Sequence, residues 1–157
     1  MNIEIWSVGK ENEQHIDVGV LHYFKKIKPY AAIQLEIIQI PKSKLSQDAE
    51  KNKQLEAEYI LKKLQAHHYL ILLDETGKKL NSPQWAKQLQ QLMNQRVKTL
   101  VLLIGGAYGV TDEIKKISKQ SWSLSDLVFP HQLVRLLLAE QIYRSFSILN
   151  NLPYHHE

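Results

Sequence analysis

TLVLLIGGAYGVT, residues 99–111, runs apolar without a break from Leu100 to Ile104 and then turns into glycine. An unbroken apolar run of this length marks a strand covered on both faces, because a half-exposed strand alternates apolar with polar residues. Strands covered on both faces belong to parallel sheets lying between helices. YLILLD (69–74) has the same character, and NIEIWSV (2–8) and AAIQLEIIQI (31–40, ended by Pro41) complete a set of strands. Helical periodicity fills the intervals. Ile16, Val20, Tyr23, Phe24 and Ile27 recur at helical spacing before Pro29. Residues 47–66 read as a long polar helix with Leu55, Ile60, Leu61 and Leu64 inward. Ser82-Pro83 reads as an N-cap with Pro at N1, opening a helix that buries Trp85, Leu89, Leu92 and Met93. Thr111 caps a short helix, Trp122–Phe129 is extended, and His131–Leu149 is a final helix. Alternating strands and helices predict an α/β fold with a mainly parallel sheet in one domain over residues 1–157.

Ligands of such sheets sit beyond the C-terminal ends of the strands. Three strand ends there are unusual: Leu73-Asp74-Glu75-Thr76-Gly77, Ile104-Gly105-Gly106-Ala107-Tyr108-Gly109 and Ser123-Leu124-Ser125-Asp126. Glycine in the second lets the backbone approach a ligand closely, although the same residues also suit a tight strand-to-helix turn. The pattern is neither a dinucleotide fingerprint nor a P-loop, since no Lys-Ser/Thr follows.

The last helix carries Leu133, Val134, Leu136, Leu137, Leu138, Ile142, Tyr143, Phe146, Ile148 and Leu149, more than one apolar stripe. It is covered on two sides, by the core and by a second copy in a homodimer, or else it is a central core helix. Arg135, Glu140, Gln141 and Arg144 are then polar groups on a largely buried helix. Glu140 and Arg144, four apart, suit an intrahelical pair, or Arg144 faces a site completed by the partner.

With 44% hydrophobic and 23% charged residues the chain is globular, not fibrous or disordered. It has no cysteine, which excludes disulfide scaffolds, thiolate metal sites and thiol catalysis. No HExxH or other metal-ligand spacing occurs, and His155 and His156 are adjacent and point apart on an extended tail, so no metal is expected. No GxSxG or paired carboxylates support a hydrolase. MNIEIWSVGKENEQ lacks a basic segment leading into an apolar run, and no apolar stretch reaches about 18 residues, so the expectation is a soluble cytoplasmic protein with no membrane partner. Residues 1–78 hold 11 Lys/Arg and 11 Asp/Glu, while residues 79–157 hold 9 and 5. A basic half suits RNA, and it equally suits plain solubility.

LLDETGKKLNSPQWA, LLIGGAYGV and WSLSDLVFPHQLVRLLLAEQIYRSFSILNNLPYHH together resemble the bacterial ribosomal RNA large subunit methyltransferase H family of the SPOUT superfamily. The resemblance covers essentially the whole chain. It implies an α/β trefoil knot, a homodimer and S-adenosyl-L-methionine as methyl donor. It also implies methylation of N3 of a pseudouridine in 23S ribosomal RNA on the assembled ribosome. The family's donor contacts fall on Leu73, Gly105 and the stretch Leu124, Ser125, Asp126, Leu127, Val128 and Phe129, with Gly106 beside them. Arg144, Tyr154, His155 and His131 are the candidates for holding the base, stabilising its anion and taking its proton, and Lys78, Lys79, Lys87, Arg96 and Lys98 are the candidate phosphate contacts for the RNA the resemblance implies. A SPOUT enzyme acting on another RNA, or a non-catalytic ribosome-associated dimer, are the competing readings.

Overall fold

The computed structural model describes residues 1–154. Five strands, β1 (Asn2–Val8), β2 (Ile33–Ile38), β3 (His68–Lys79), β4 (Thr99–Ile104) and β5 (Gln120–Ser123), form one sheet in the order β2-β1-β4-β3-β5. Every pairing is parallel. The helices are α1 (Gln14–Ile27), α2 (Ala49–Lys63), α3 (Ser82–Asn94), α4 (Asp112–Ile117) and α5 (His131–Leu149). The α/β reading with a parallel sheet holds.

The unbroken apolar runs have a direct cause. Successive side chains on a strand point to opposite faces. Leu100, Leu102 and Ile104 of β4 therefore join Ile3, Ile5, Ile71 and Trp122 in a core shared with Trp85 and Leu89 of α3 and with Leu138, Ile142 and Phe146 of α5. Val101 and Leu103 point the other way, to Trp6, Leu70 and Leu72, under Ala57 and Ile60 of α2 and Ile114 of α4. The result is three layers, with α1, α3 and α5 on one face and α2 and α4 on the other.

Element ends differ from expectation by local chemistry. Asn81, not Ser82, is the N-cap of α3: its side chain accepts from the Gln84 amide at 2.9 Å, and Gln84 Oε1 accepts in turn from the Asn81 amide at 2.9 Å. This reciprocal capping box outcompetes the Ser-Pro step, which becomes the first turn. Thr111 does cap α4, accepting from the Ile114 amide. The extended segment after Trp122 is strand only to Ser123. Strand β3 runs on to Lys79 instead of ending at Asp74, but its register on β5 slips between Leu73 and Lys78. Gly77 sits in that slip, and a Cβ there would lie 2.7 Å from the Trp122 backbone.

Helix α5 packs on α1 and α3. Its Arg135, 1% exposed, donates to Ser7 Oγ, Lys10 O and Asn12 Oδ1, each at 2.8 Å. Gln132 Oε1 accepts from the Glu13 amide at 2.6 Å. Together they clamp the β1–α1 connection to the start of α5. At its other end α5 closes with Asn151 at φ 53° and a Leu152 N to Ser147 O bond of 2.9 Å, an αL termination that turns the chain back. No helix among the described residues is long and apolar enough to cross a membrane.

Candidate active site

The three strand ends singled out in the sequence meet. Leu73–Thr76 within β3, Gly105–Val110 after β4, and Ser123–Ser125 with Leu127–Phe129 at and beyond the end of β5 line one pocket of about 510 Å³. The parallel sheet makes this unavoidable, because β4, β3 and β5 are neighbours and their C-terminal ends lie on one side. Of the predicted donor contacts, Leu73, Gly105, Gly106, Leu124, Ser125, Leu127, Val128 and Phe129 line it. Asp126 does not: it is exposed and ion-paired with Lys79 at the rim.

Each bend has a local reason for its shape. At the register slip of β3, Asp74 Oδ1 accepts from the Thr76 amide at 2.8 Å and from its hydroxyl at 2.5 Å. Burial pushes the Asp74 carboxyl up, but the Thr76 hydroxyl and amide and the Lys115 charge together hold it below the usual carboxylate range. After β4, the Gly109 amide donates to Gly106 O at 3.0 Å, and Gly109 takes φ 76°, where a side chain is strained. Here the tight-turn reading of the glycines is satisfied as well. A Cβ on Gly106 would lie 2.2 Å from Glu56 Oε2 of α2, so the glycine lets that carboxylate rest on the loop. Burial raises the Glu56 pKa. After β5, Ser123 Oγ donates to Ser125 O and Ser125 Oγ accepts from the Leu127 amide.

The candidate catalytic residues are not all together. His131, at the start of α5, lines the pocket. Arg144 and Tyr154 do not, and thirteen residues of helix put Arg144 about 20 Å from His131 along α5. Arg144 Nη2 lies 2.5 Å from Glu140 Oε1, the intrahelical pair. That hydrogen bond raises the Arg144 pKa. Tyr154 folds back to donate to the same Glu140 oxygen at 3.1 Å, its ring 4.9 Å from the Arg144 guanidinium carbon. Tyr143 stacks edge-on against it and Lys26 lies over both rings. Burial, the Tyr23 hydroxyl and Glu140 push the Tyr154 phenol up, so it stays protonated. His155 lies outside the described residues.

The basic residues expected to bind RNA are also dispersed. Lys78 and Lys79 stand at the pocket end of β3, with Lys79 paired to Asp126. Arg96 and Lys98 precede β4 and therefore sit at the opposite end of the sheet. Lys53 of α2 and Lys115 of α4 line the pocket instead. Nothing in the sequence marks these two, since a lysine on a polar helix face reads as a solvated surface.

The sequence matches the family described as "Predicted SPOUT methyltransferase" over residues 1–155. It is 43% identical over 157 residues to the ribosomal RNA large subunit methyltransferase H of Flavobacterium johnsoniae, covering all of both chains. It is 37% identical to the protein of the same name from Bacteroides thetaiotaomicron, again over the full length of both. The chain belongs to the SPOUT methyltransferase family. It is a methyltransferase, and the family generally uses S-adenosyl-L-methionine.

The pocket of this SPOUT chain fits such a donor. Leu72, Leu73, Ile104, Val110, Leu124 and Val134 supply apolar wall for a flat purine. The amides of Asp126, Val128 and Phe129 donate to no other backbone group among the described residues, leaving main-chain donors near the pocket for a base edge. Asp74, Glu75 and Asp112 outnumber Lys53 and Lys115 in the wall, an acidic surplus that suits a donor carrying a sulfonium charge. Among the described residues no group of three or more His, Asp or Glu could hold a metal ion.

Proposed function

We propose that this chain is an S-adenosyl-L-methionine-dependent methyltransferase acting on N3 of a pseudouridine in 23S ribosomal RNA. It works as a single-domain homodimer on the assembled ribosome, with its C-terminal part threaded into a trefoil knot. One observation carries the reading: the Leu73–Thr76 stretch of β3 and the bends after β4 and β5 converge on one donor-sized pocket. The relatives named as large-subunit RNA methyltransferases, matched end to end, support the substrate.

Leu73, Gly105, Gly106 and the stretch from Leu124 to Phe129 hold the donor. Asp126 does so by its main chain, since its side chain is engaged with Lys79. When bound, the donor supplies an electrophilic methyl group. The chain's own tasks are to place the base, to stabilise the anion formed as N3 loses its proton, and to keep water out. His131 at the pocket wall is the candidate acceptor of that proton. Arg144 carries the charge for the anion, and Tyr154 and His155 close over the ring. In one copy Arg144 sits about 20 Å along α5 from the pocket, so the reading assigns it to the pocket of the partner copy. The apolar residues left half-buried on α5, such as Leu133, Leu136 and Leu137, support a second copy as their cover.

The test is twofold. S-adenosyl-L-methionine at about 100 times its Kd should stabilise the protein by about 2.7 kcal/mol. Mass spectrometry of ribosomal RNA from a strain lacking the gene should show one pseudouridine without its methyl group. An unchanged melting temperature together with intact modification overturns the proposal.

A further inference from the structure

Beside the main pocket lies a second recess of about 240 Å³, lined by Asp74, Thr76, Lys115, Ser118, Gln120 and Ser121. It adjoins the main pocket: Leu72, Asp74, Thr76 and Lys115 line both. Most of its polar atoms are already used. Ser118 Oγ donates to Ile114 O, while Gln120 donates to Tyr69 and accepts from Trp122. Two charges are left over. Asp74 spends Oδ1 on Thr76, and its Oδ2 has no hydrogen bond among the described residues. Lys115 makes no ion pair within 4.0 Å among those residues, yet it is near enough to favour the Asp74 carboxylate.

A carboxylate and an ammonium that share a recess without touching complement a zwitterion. We propose that this recess takes the α-amino acid end of the methyl donor, Asp74 Oδ2 accepting from its ammonium and Lys115 Nζ donating to its carboxylate. Charge-assisted hydrogen bonds of this kind discriminate strongly, because a ligand lacking the group leaves both side chains unanswered. The inference rests on the donor proposed above and adds the part of it that the recess reads.

Three ligands separate the possibilities by calorimetry on the purified protein: S-adenosyl-L-methionine, S-adenosylhomocysteine and 5′-methylthioadenosine, which lacks the amino acid end. Asp74→Asn keeps an oxygen for Thr76 and removes the charge, and Lys115→Ala removes the other partner. Each substitution should weaken S-adenosylhomocysteine by at least about 10-fold while 5′-methylthioadenosine changes by less than about 2-fold. Unchanged binding of S-adenosylhomocysteine overturns the inference alone. So does a parallel loss of 5′-methylthioadenosine, which would make the pair merely structural. If Asp74→Asn does not fold, Lys115→Ala decides by the same two readings. A wild-type protein that binds none of the three overturns both the inference and the proposed donor.

Discussion

Gly77 on β3 lies against the main chain of Trp122 on β5, so closely that a Cβ built on it would meet Trp122 N and C at 2.7 Å. The contact falls where the two strands slip register, between Leu73 and Lys78. Trp122 is fully buried and stacks edge-on against Trp85. It cannot retreat without disturbing the core, so the clash must be relieved by moving β5 and the Ser123–Phe129 bend behind it. Gly77→Ala should cost about 3 kcal/mol in chemical denaturation and weaken donor binding. Gly19→Ala is the control. Its Cβ would meet only the tip of Leu136 at 2.8 Å, and helix propensity returns about 1 kcal/mol, so its net cost stays within about 1 kcal/mol.

Much of this arrangement was readable from residues alone, for a physical reason. Leu100–Ile104 had to be covered on both sides, which implies helices on both faces and strand ends gathered at one edge. The three odd strand ends therefore predicted a shared pocket. What stayed hidden depends on long-range placement. Lys53 and Lys115 reach the pocket from α2 and α4, and their surroundings in sequence are those of any exposed lysine. Arg135 was visible as a charge on an apolar helix, but its partners are a hydroxyl, a carbonyl and an amide from residues 7–12, too distant in sequence to foresee. Tyr154 returns to Glu140 only because Asn151 adopts φ 53°.

Arg135 should be among the residues least tolerant of change. Burial pulls its pKa down, against the Glu11 charge, which favours the ionised form. Removing it strands the buried Ser7 hydroxyl, takes a partner from the Lys10 carbonyl and Asn12, and leaves a side-chain-sized void. Arg135→Ala should destabilise the fold by about 3–5 kcal/mol in urea denaturation. Arg135→Lys keeps the charge but loses the fork that reaches three acceptors, and should cost about half as much.

Arg144 should behave in the opposite way. It is partly exposed, and its pair with Glu140 spans one turn of α5. Pairs of this kind contribute at most about 1 kcal/mol. Arg144→Ala should therefore melt within a few degrees of wild type and bind the donor normally, yet transfer no methyl group to ribosomes. Loss of donor binding in step with activity would overturn this assignment and make Arg144 a residue that holds the donor.

Asp74 and Glu56 should leave opposite marks on stability against pH. The folded state holds Asp74 below its ordinary value, so its contribution is complete above about pH 4 and is lost as pH falls through the depressed value. Asp74→Asn should be less stable than wild type at neutral pH, with the gap closing in acid. Glu56 is raised by burial, so its ionised form penalises the folded state. That penalty is absent below about pH 4, grows as pH rises, and is complete above the raised value. Glu56→Gln should accordingly be more stable than wild type at neutral pH and equal to it in acid. Urea titrations at a series of pH values, run on both variants, measure the two slopes. Slopes of the same sign would mean that one of these carboxylates is held in the reverse sense.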